Sequence, residues 1–543
     1  MKSKPTAPPL AVADSSMDEL QAILQQVKDL GLPQKEYELL RSLVESYAFL
    51  VEEIGDKKAT IKRLRELLFG ASTEKTKAVL GQAGPTGTEA APEAGATGQE
   101  PKPPPKGHGR LGAEAYTGVE RVKIPHPSLR AGDPCPRCGG RLSEKKPEIL
   151  LRIQACAPVG GTAHEKQRLR CNLCNQLWVA PTPAGVGEEK FDETVASMIG
   201  MLRYGSGVPF YRIAGLQQAM GIPLPASTQW GLVEKGAAKL QPALDELMRQ
   251  AAQGQLLYND DTSMTILDHR REARRREQAG EEPAERTGTF TSGIVSELDG
   301  RQVVLYATGP QHAGENLAAV LARRASGLDP PMQMCDGLDR NLPQGLTTIL
   351  ANCLAHGRRK FVEVAETFPA EVRHVLEELA IVYRNDAEAK AKGLSPQERL
   401  GLHQEKSGPV MERLQAWLAA LIEEKKVEPN STLGGAIAYA LKRWDRMTLF
   451  LRQAGAPLDN NLCERILKRA ILHRKNSMFY KTQNGARVGD LYMSLIATAK
   501  LAGVNPFDYL TELQRHPTEV SASPSDWMPW NYRATLVEAA PAA

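Results

Sequence analysis

The most regular pattern of apolar positions lies in the N-terminal part of the chain. From Leu40 onward, apolar side chains recur at alternating intervals of three and four residues, and Lys57 is the one polar interruption. The series consists of Leu40, Leu43, Tyr47, Leu50, Ile54, Lys57, Ile61, Leu64 and Leu68. This spacing predicts a coiled coil within residues 16–79, and its apolar seam needs a partner helix. The alternative is a long helix folded back on its own domain.

Two segments without apolar periodicity flank this coiled coil. Residues 1–15 are rich in Pro and Ala, which predicts disorder. Residues 80–110 consist mainly of Gly, Ala, Pro and Thr and end in a basic, proline-rich stretch. This composition is typical of a linker that is flexible first and then stiffened by polyproline II structure.

A helical period returns in residues 186–253. One helix is expected to begin near Val208, and a second is expected to follow the turn at Gly221 and the segment Pro225–Thr228. Such a helix-turn-helix can enter the major groove of DNA. A pair of helices that pack only on each other is the commoner arrangement, and both readings stay open.

From residue 254 the pattern changes to that of strands. Strands are expected at 255–258, 288–295, 302–307 and 331–335, with a charged hairpin or loop at 269–286 and a helix at 312–326. Acidic residues follow two of these strands, since Asp260 comes after the first and Asp336 after the last. This order predicts an α/β domain over residues 254–515 with a site at the carboxyl edge of its sheet.

The remaining C-terminal sequence is mainly helical in pattern. Residues 358–450 read almost entirely as helix, which predicts a helical insertion near 362–450, and Glu464 follows on a helix of its own. Residues 516–543 are expected to form a C-terminal tail.

Composition narrows the class of protein. A chain of 543 residues is too long for one core, which predicts several domains, and a 42% hydrophobic, 24% charged composition is ordinary for a globular protein. Net charge is only +4, so any affinity for nucleic acid must come from local clusters. No apolar run is long enough for a spanning helix, and the first residues lack the apolar core of a secretory signal. We therefore expect a cytoplasmic protein with no membrane partner.

Four of the eight cysteines form two CxxC pairs, Cys135/Cys138 and Cys171/Cys174. Each pair directs two thiolates at one metal ion, and four thiolates complete a tetrahedral zinc site. A redox-active dithiol would need only one pair. The pattern therefore predicts one structural Zn²⁺ in a zinc-binding domain over residues 111–185.

Glu464 lies alone among cations. Seven of them follow before the next acid, Asp490: Arg465, Lys468, Arg469, Arg474, Lys475, Lys481 and Arg487. A solvated helix normally mixes signs to gain i,i+4 pairs, whereas a run of cations suits contact with a polyanion. A carboxylate held against phosphates is repelled unless a divalent cation lies between them. This segment predicts a metal-dependent enzyme of nucleic acid.

A set of ordered motifs resembles the DDE transposases of the bacterial IS-sixty-six insertion-sequence family. The matching segments are Leu68-Phe69-Gly70, Ser72-Thr73-Glu74-Lys75, the paired CxxC motifs, Val208-Pro209-Phe210-Tyr211-Arg212, Asp260-Asp261-Thr262, Asp336-Gly337, Cys353-Leu354-Ala355-His356, Asn460-Asn461-Leu462-Cys463-Glu464-Arg465, Arg474-Lys475-Asn476 and Met528-Pro529-Trp530-Asn531. The resemblance implies a multidomain protein. Its α/β ribonuclease-H-like catalytic domain would carry a helical insertion and would be preceded by the coiled coil, the zinc-knuckle domain and the helical domain.

The resemblance also implies a catalytic triad of Asp260, Asp336 and Glu464 that binds Mg²⁺ or Mn²⁺. Asp261, which stands where family members usually have Glu, is a rival for the first position. Asp339 and Asp459 are weaker rivals for the second and third. Phosphate contacts are expected from Arg358, Arg359, Lys360, Arg465, Lys468, Arg469, Arg474 and Lys475, and a solvated helix face is the alternative for the last two.

The pair Cys353-x-x-His356 has the spacing of metal ligands. One pair is too few for a complete zinc site, so a structural role beside the active site is the favoured interpretation. The function implied is cleavage of transposon-end DNA and joining of the freed end to target DNA, by a homodimer or higher oligomer that works with possible accessory proteins. The alternatives are a nuclease without strand transfer and an inactive DNA-binding protein descended from a transposase.

Overall fold

The computed structural model describes residues 128–134, 158–170, 177–187, 189–282, 286 and 288–539. All of them belong to one compact unit of the chain, residues 85–543. The expected disordered N-terminus, the coiled coil and most of the linker and zinc-binding domain lie outside the described residues. The same holds for the four zinc-ligand candidates Cys135, Cys138, Cys171 and Cys174.

The first elements are a small two-stranded sheet and three helices. Strands β1 (Arg168–Arg170) and β2 (Leu177–Val179) pair antiparallel on either side of the second CxxC motif. Helices α1 (Glu193–Gly200), α2 (Phe210–Ala219) and α3 (Ala226–Ala251) follow. Both α2 and α3 begin directly after a proline, Pro209 and Pro225, as the sequence predicts. The side chains exposed on this pair include the large apolar residues Tyr211, Leu216 and Met220 of the α2 segment.

A mixed five-stranded sheet forms the centre of the fold. Its strands are β3 (Leu256–Met264), β4 (Thr289–Leu298), β5 (Arg301–Gly309), β6 (Met332–Cys335) and β7 (Ile349–Asn352). They lie in the order β5-β4-β3-β6-β7. The pairs β3–β4 and β4–β5 are antiparallel, whereas β6 runs parallel to both β3 and β7. The predicted α/β character is thus confirmed, and Asp336 directly follows a strand parallel to the one that carries Asp260.

The segment between β3 and β4 differs from the sequence-based prediction. Residues 269–286 were expected to form a charged hairpin or loop, but Leu267–Ala279 form helix α4. Glu272 binds Arg275 and Arg276, three and four residues on, at 2.9 and 3.0 Å. Such pairs stabilise an exposed helix that has no apolar face. The charge spacing, not the apolar spacing, was therefore the signal for α4.

The predicted helix at 312–326 is α5 (Ala313–Leu321). After β7 the chain is helical over the region expected as an insertion near 362–450. The helices there are α6 (Leu354–Val362), α7 (Pro369–Ala391), α8 (Pro396–Leu402), α9 (Gly408–Glu423), α10 (Thr432–Lys442) and α11 (Trp444–Met447). Helix α6 packs on α7 and α10, which brings this layer to the carboxyl ends of β6 and β7.

The last helices are α12 (Asn461–Ser477), α13 (Gln483–Leu501), α14 (Pro506–Arg515), α15 (Pro517–Ala522) and α16 (Tyr532–Ala539). Helix α12 lies on β3 and β4, and α13 lies along β5. Residues 516–543 were expected to form a tail, yet Trp527, Met528 and Tyr532 are buried in the same core as the sheet. Across the described ranges, none of the helices combines the length and apolar character needed to span a bilayer.

Candidate active site

The adjacent carboxylates Asp260 and Asp261 lie on opposite faces of the central strand β3, as side chains alternate along a strand. The side chain of Asp261 is only 1% exposed and is contacted by an arginine and a histidine on its own face. Arg340 approaches one of its oxygens at 3.2 Å, and His312 Nδ1 lies 2.9 Å from the other. The Asp261 carboxylate is therefore already neutralised by protein groups.

Asp260 has the opposite surroundings. Burial and, after it, the nearby carboxylates of Asp336, Asp261 and Glu464 together raise the pKa of its carboxyl group to about 7, against one backbone hydrogen bond that lowers it. Like charges disfavour ionisation only when they are close. Since β6, which leads to Asp336, pairs with β3, and α12, which carries Glu464, lies on β3, all three predicted triad residues share one region of the molecule.

Asp336 is held in a tight turn just after β6. The side-chain amide of Asn341 donates to Asp336 Oδ1 at 2.6 Å, and the Leu338 amide donates to the same oxygen at 3.0 Å. Gly337 has a φ of 79°, a conformation that favours glycine. Tyr439 of α10 donates its hydroxyl to the Asp336 carbonyl at 2.9 Å. One carboxylate oxygen is thereby fixed, and the other keeps its acceptor capacity.

Asn341 is itself fixed by a buried amide network on the Asp261 face of the sheet. Asn259 and Gln333 both donate to the Asn341 carbonyl, at 2.7 and 2.8 Å. Gln333 also donates to Asn259 Oδ1 at 2.9 Å. Because these amides come from β3 and β6, the network ties the Asp336 turn to the strand that carries Asp260.

Glu464 reaches the sheet because α12 approaches β4 closely at Gly293. Asp260 pairs with Gly293 across the strands, and the Cys463 thiol donates to the Gly293 carbonyl at 3.3 Å. A Cβ added at Gly293 would lie 3.0 Å from Leu467 of the same helix. The missing side chain therefore lets the first turn of α12 settle beside Asp260.

The Glu464 carboxylate lies among groups from α6. His356 Nδ1 is 3.7 Å from Oε1, and an Arg359 guanidinium nitrogen is 4.0 Å from Oε2. Oε1 is buried and has no hydrogen-bond partner within the part of the chain that the structure describes. A buried carboxylate oxygen without a donor, beside two further carboxylates, fits a hard divalent cation such as Mg²⁺.

The basic side chains expected to contact phosphates on α12 fall into two groups: some are exposed to solvent, and others are half-buried or hydrogen-bonded within the protein. On α12, Arg465, Lys468 and Lys475 are exposed and lie on one stripe of the helix. Arg469 is half-buried, and the Arg474 guanidinium binds the end of β3 through the hydroxyls of Thr262 (3.1 Å) and Ser263 (2.6 Å). Arg474 is thus part of the fold, whereas the stripe faces outward.

The basic cluster after β7, Arg358 to Lys360, also contains side chains of different exposure. Arg358 and Arg359 on α6 are half-buried, and Lys360 is exposed and lies 3.4 Å from Glu363. Arg359 is directed at Glu464, so this cluster borders the carboxylates.

Sequence reasoning did not identify Asn341 or Gly293. The only sequence signal for Asn341 was its position five residues after Asp336. Asn side chains are common in loops, and the tertiary structure determines which groups they bind, so this signal is weak. Gly293 lies in a strand interior, where glycine often marks the close approach of another backbone.

The chain is similar over most of its length to two proteins of Sinorhizobium fredii (strain NBRC 101917 / NGR234) described as uncharacterized. One, y4jD, is 28% identical over 518 residues, which is 89% of this chain and 95% of the relative. The other, y4hP, is 26% identical over 440 residues, which is 76% of this chain and 75% of the relative.

No solved structure matches the chain significantly. The family model described as "Transposase IS66 family" matches residues 189–488, which is more than half of the chain and includes Asp260, Asp336 and Glu464. The chain therefore belongs to the IS66 transposase family.

Proposed function

We propose that this protein is a DNA transposase that cleaves the ends of an insertion sequence and joins them to target DNA. The observation that carries the proposal is that three carboxylates from separate elements lie close enough to affect one another's ionisation. Asp260 comes from β3, Asp336 from the turn after β6 and Glu464 from α12, and the pKa of Asp260 responds to both of the others. Ionisable side chains that come from separate elements and perturb one another's pKa are typical of a functional site.

The fold supports a ribonuclease-H-like catalytic domain. Its central strand carries the first acid, a parallel neighbour leads to the second, and a helix lying on β3 and β4 carries the third. The helices between β7 and α12 would form the helical insertion that the family resemblance implies.

Asp260, Asp336 and Glu464 would hold Mg²⁺ or Mn²⁺. When bound, such ions supply a neutralising charge that activates the attacking oxygen and stabilises the leaving oxygen of a phosphodiester. The protein's own contribution is to preset the ligands: Asn341 fixes Asp336, and the contact at Gly293 fixes the first turn of α12. Asp261 is held by Arg340 and His312 on the far face, which favours Asp260 as the first acid.

DNA would lie along the exposed stripe of α12, where Arg465, Lys468 and Lys475 can neutralise phosphates. Arg358, Arg359 and Lys360 would hold a strand near Glu464, whereas Arg469 and Arg474 would act mainly by supporting the helix. We further propose that the four CxxC cysteines bind one structural Zn²⁺ in an N-terminal DNA-binding region. The protein would act at the nucleoid, in the bacterial cytoplasm, with possible accessory proteins of the same element.

The test is a strand-joining reaction with Mg²⁺, a duplex that carries the element end, and a target plasmid. The wild-type protein should give joined product, and Asp336→Asn should lose it by several orders of magnitude because a metal ligand is removed. Asp339→Asn is the matched control, since this exposed aspartate lies on the same turn. Cleavage without joining would indicate a nuclease, and binding without either reaction would indicate an inactive DNA-binding protein.

Assembly through the predicted coiled coil within residues 16–79 would let one complex hold two element ends. Size-exclusion chromatography with light scattering should give a dimer or larger species for the full chain. Replacing Leu43, Leu50 and Leu64 by Lys should yield a monomer because charge enters the seam. A full-length chain that runs as a monomer with and without DNA would overturn this part of the proposal.

A further inference from the structure

Three groups that can bind a metal meet beside the carboxylate triad. The ligand atoms of Cys353, His356 and Glu464 all lie within 4.8 Å of one another. Cys353 is the residue before the first turn of α6, and His356 follows one turn later on the same helix. Glu464 comes from the first turn of α12, 108 positions further along the chain. Two helix N-termini therefore converge here.

The surroundings of Cys353 suit a metal-bound thiolate. The Asn460 amide donates to Cys353 Sγ at 3.2 Å, and the His356 backbone amide also hydrogen-bonds to it. Amides at a helix N-terminus favour the thiolate. A coordinated metal ion removes the proton of a ligating thiol outright.

The donor set discriminates between cations. A thiolate, an imidazole and a carboxylate suit Zn²⁺ or Co²⁺, whereas Mg²⁺ takes oxygen ligands. Three protein ligands leave a fourth position for water, which is the ligand count of an open zinc site. Access runs past Glu464 and His356, whose side chains are 27% and 20% exposed.

We propose that Cys353, His356 and Glu464 form a site for a thiophilic divalent cation, with Zn²⁺ as the natural candidate. This site differs from the proposed magnesium site, which also contains Asp260 and Asp336. The two sites have only Glu464 in common. The inference goes beyond strand transfer, because the site is defined by ligands that need neither DNA nor Mg²⁺. If Glu464 also serves the magnesium ions, the two kinds of cation compete for it.

The competing explanation is that the cluster only positions Glu464. In that case His356 would steady the carboxylate, Cys353 would accept its amide hydrogen bonds as a neutral thiol, and no metal would bind. Spectroscopy separates these explanations because only a metal–sulfur bond gives a thiolate-to-cobalt charge-transfer band.

The experiment is a Co²⁺ titration of the full-length metal-free protein, followed by absorption spectroscopy. Wild-type protein should bind one more equivalent of sulfur-ligated Co²⁺ than Cys353→Ser. His356→Gln and Glu464→Gln should weaken binding at this site by more than the about 10–100-fold that loss of an outer-shell partner of a ligand costs. Excess Zn²⁺ should displace the Co²⁺ and abolish the band.

Cys335→Ser is the matched control, because Cys335 is another buried free thiol, on β6, outside the cluster. It should leave the amount of sulfur-ligated Co²⁺ unchanged. Asp336→Asn should also leave the sulfur-ligated Co²⁺ unchanged, although it removes a ligand of the proposed catalytic site, and this separates the two sites. Equal stoichiometry and equal spectra in wild type and Cys353→Ser would overturn the inference. His356→Gln gives the same answer if Cys353→Ser does not fold.

Discussion

At the scale of single residues, β3 shows how one strand gives two neighbouring acids different chemistry. Asp261 faces Arg340 and His312, so its charge is balanced within the protein. Asp260 faces Asp336 and Glu464, so a proton or an added cation would relieve the repulsion among the three carboxylates. Strand alternation alone predicts that the two carboxylates point apart. Which of them meets Arg340 and His312 depends on residues about 50 and 80 positions away, and no local pattern reveals that.

Asn341 is expected to act as a positioning residue for Asp336. Asn341→Leu keeps the volume but removes the amide that donates to Asp336 Oδ1 at 2.6 Å. The carboxylate would then sample other rotamers, and loss of such a support typically costs about 10–100-fold in metal affinity or activity. Mg²⁺ titration of strand joining should show this as a higher Mg²⁺ requirement, with a smaller change in the rate at saturating Mg²⁺.

Asp339→Asn provides the comparison for that substitution. It lies on the same turn but is exposed, so the Mg²⁺ requirement should match that of the wild type. If Asp339→Asn abolished joining and Asn341→Leu did not alter it, the assignment of Asp336 as the second acid would be wrong.

Asp490 is expected to make stability depend on pH. Burial raises the pKa of this carboxyl group to about 7, although the Thr308 amide and hydroxyl donate to it at 2.7 and 2.6 Å. An unfolded Asp ionises near pH 4, so from about pH 4 to 7 the folded chain keeps a proton that the unfolded chain releases. The free energy of unfolding should therefore fall as pH rises through this window and should level off above it.

Asp490→Asn removes this titration. The pH slope of the unfolding free energy should become smaller by up to about 1.4 kcal/mol per pH unit, as measured by denaturant unfolding between about pH 5 and pH 7. Asp260 titrates in the same direction, so part of the slope remains in the variant. Identical slopes in variant and wild type would contradict the assignment.

At the scale of elements, the distance between α12 and the sheet determines where Glu464 lies. Gly293→Ala places a Cβ 3.0 Å from Leu467 Cδ2 and 3.5 Å from Cys463 Sγ. The helix must shift by a few tenths of an ångström, and such overpacking typically costs about 1–3 kcal/mol. We expect a lower free energy of unfolding and a joining rate reduced by about 10-fold or more, since misplaced catalytic groups react slowly.

Gly435→Ala tests whether this effect is local. Gly435 lies in α10 with open space around its Cα, so Ala should stabilise the helix by about 0.5–1 kcal/mol. Its joining rate should be that of the wild type. An equally mild effect of Gly293→Ala would show that α12 does not need the close approach.

Helix α13 illustrates what the sequence could and could not predict about elements. β5 lies at the edge of the sheet, and the amides of Val304, Tyr306 and Thr308 donate to side chains of α13. The acceptors are Thr498, Ser494 and Asp490, spaced four residues apart on one helix face. The helix thereby protects an exposed strand edge. The sequence indicates that this segment is helical. Its polar residues at every fourth position, however, suggest a face exposed to solvent, and only the structure shows that they bind the edge strand β5.

At the scale of the whole molecule, elements far apart in sequence share one core. Helix α3 packs against α1, α13 and α14, and buried residues of α3, the sheet and α13 belong to one cluster. Strands β3 to β6, helix α5 and the three candidate acids could be predicted from the sequence, since strand patterns and charge runs are local, whereas α4 and β7 were not predicted. The role of residues 516–543 could not be predicted, because the apolar residues of this short, proline-interrupted segment are irregularly spaced and give no periodicity.

The last prediction concerns this C-terminal segment as part of the core. Trp527 is 2% exposed, stacks on His516 at 5.0 Å and accepts the Tyr509 hydroxyl at its carbonyl. Trp527→Ala should lower the free energy of unfolding by about 3–5 kcal/mol, since a large buried ring is replaced by a cavity. Val537→Ala, at a side chain that is 76% exposed, should change it by less than about 0.5 kcal/mol. Because α15 and Trp527 lie against α3, the loss should appear in the single unfolding transition of the sheet domain. Equal unfolding free energies for Trp527→Ala and wild type would mean that the segment is the dispensable tail its sequence suggests.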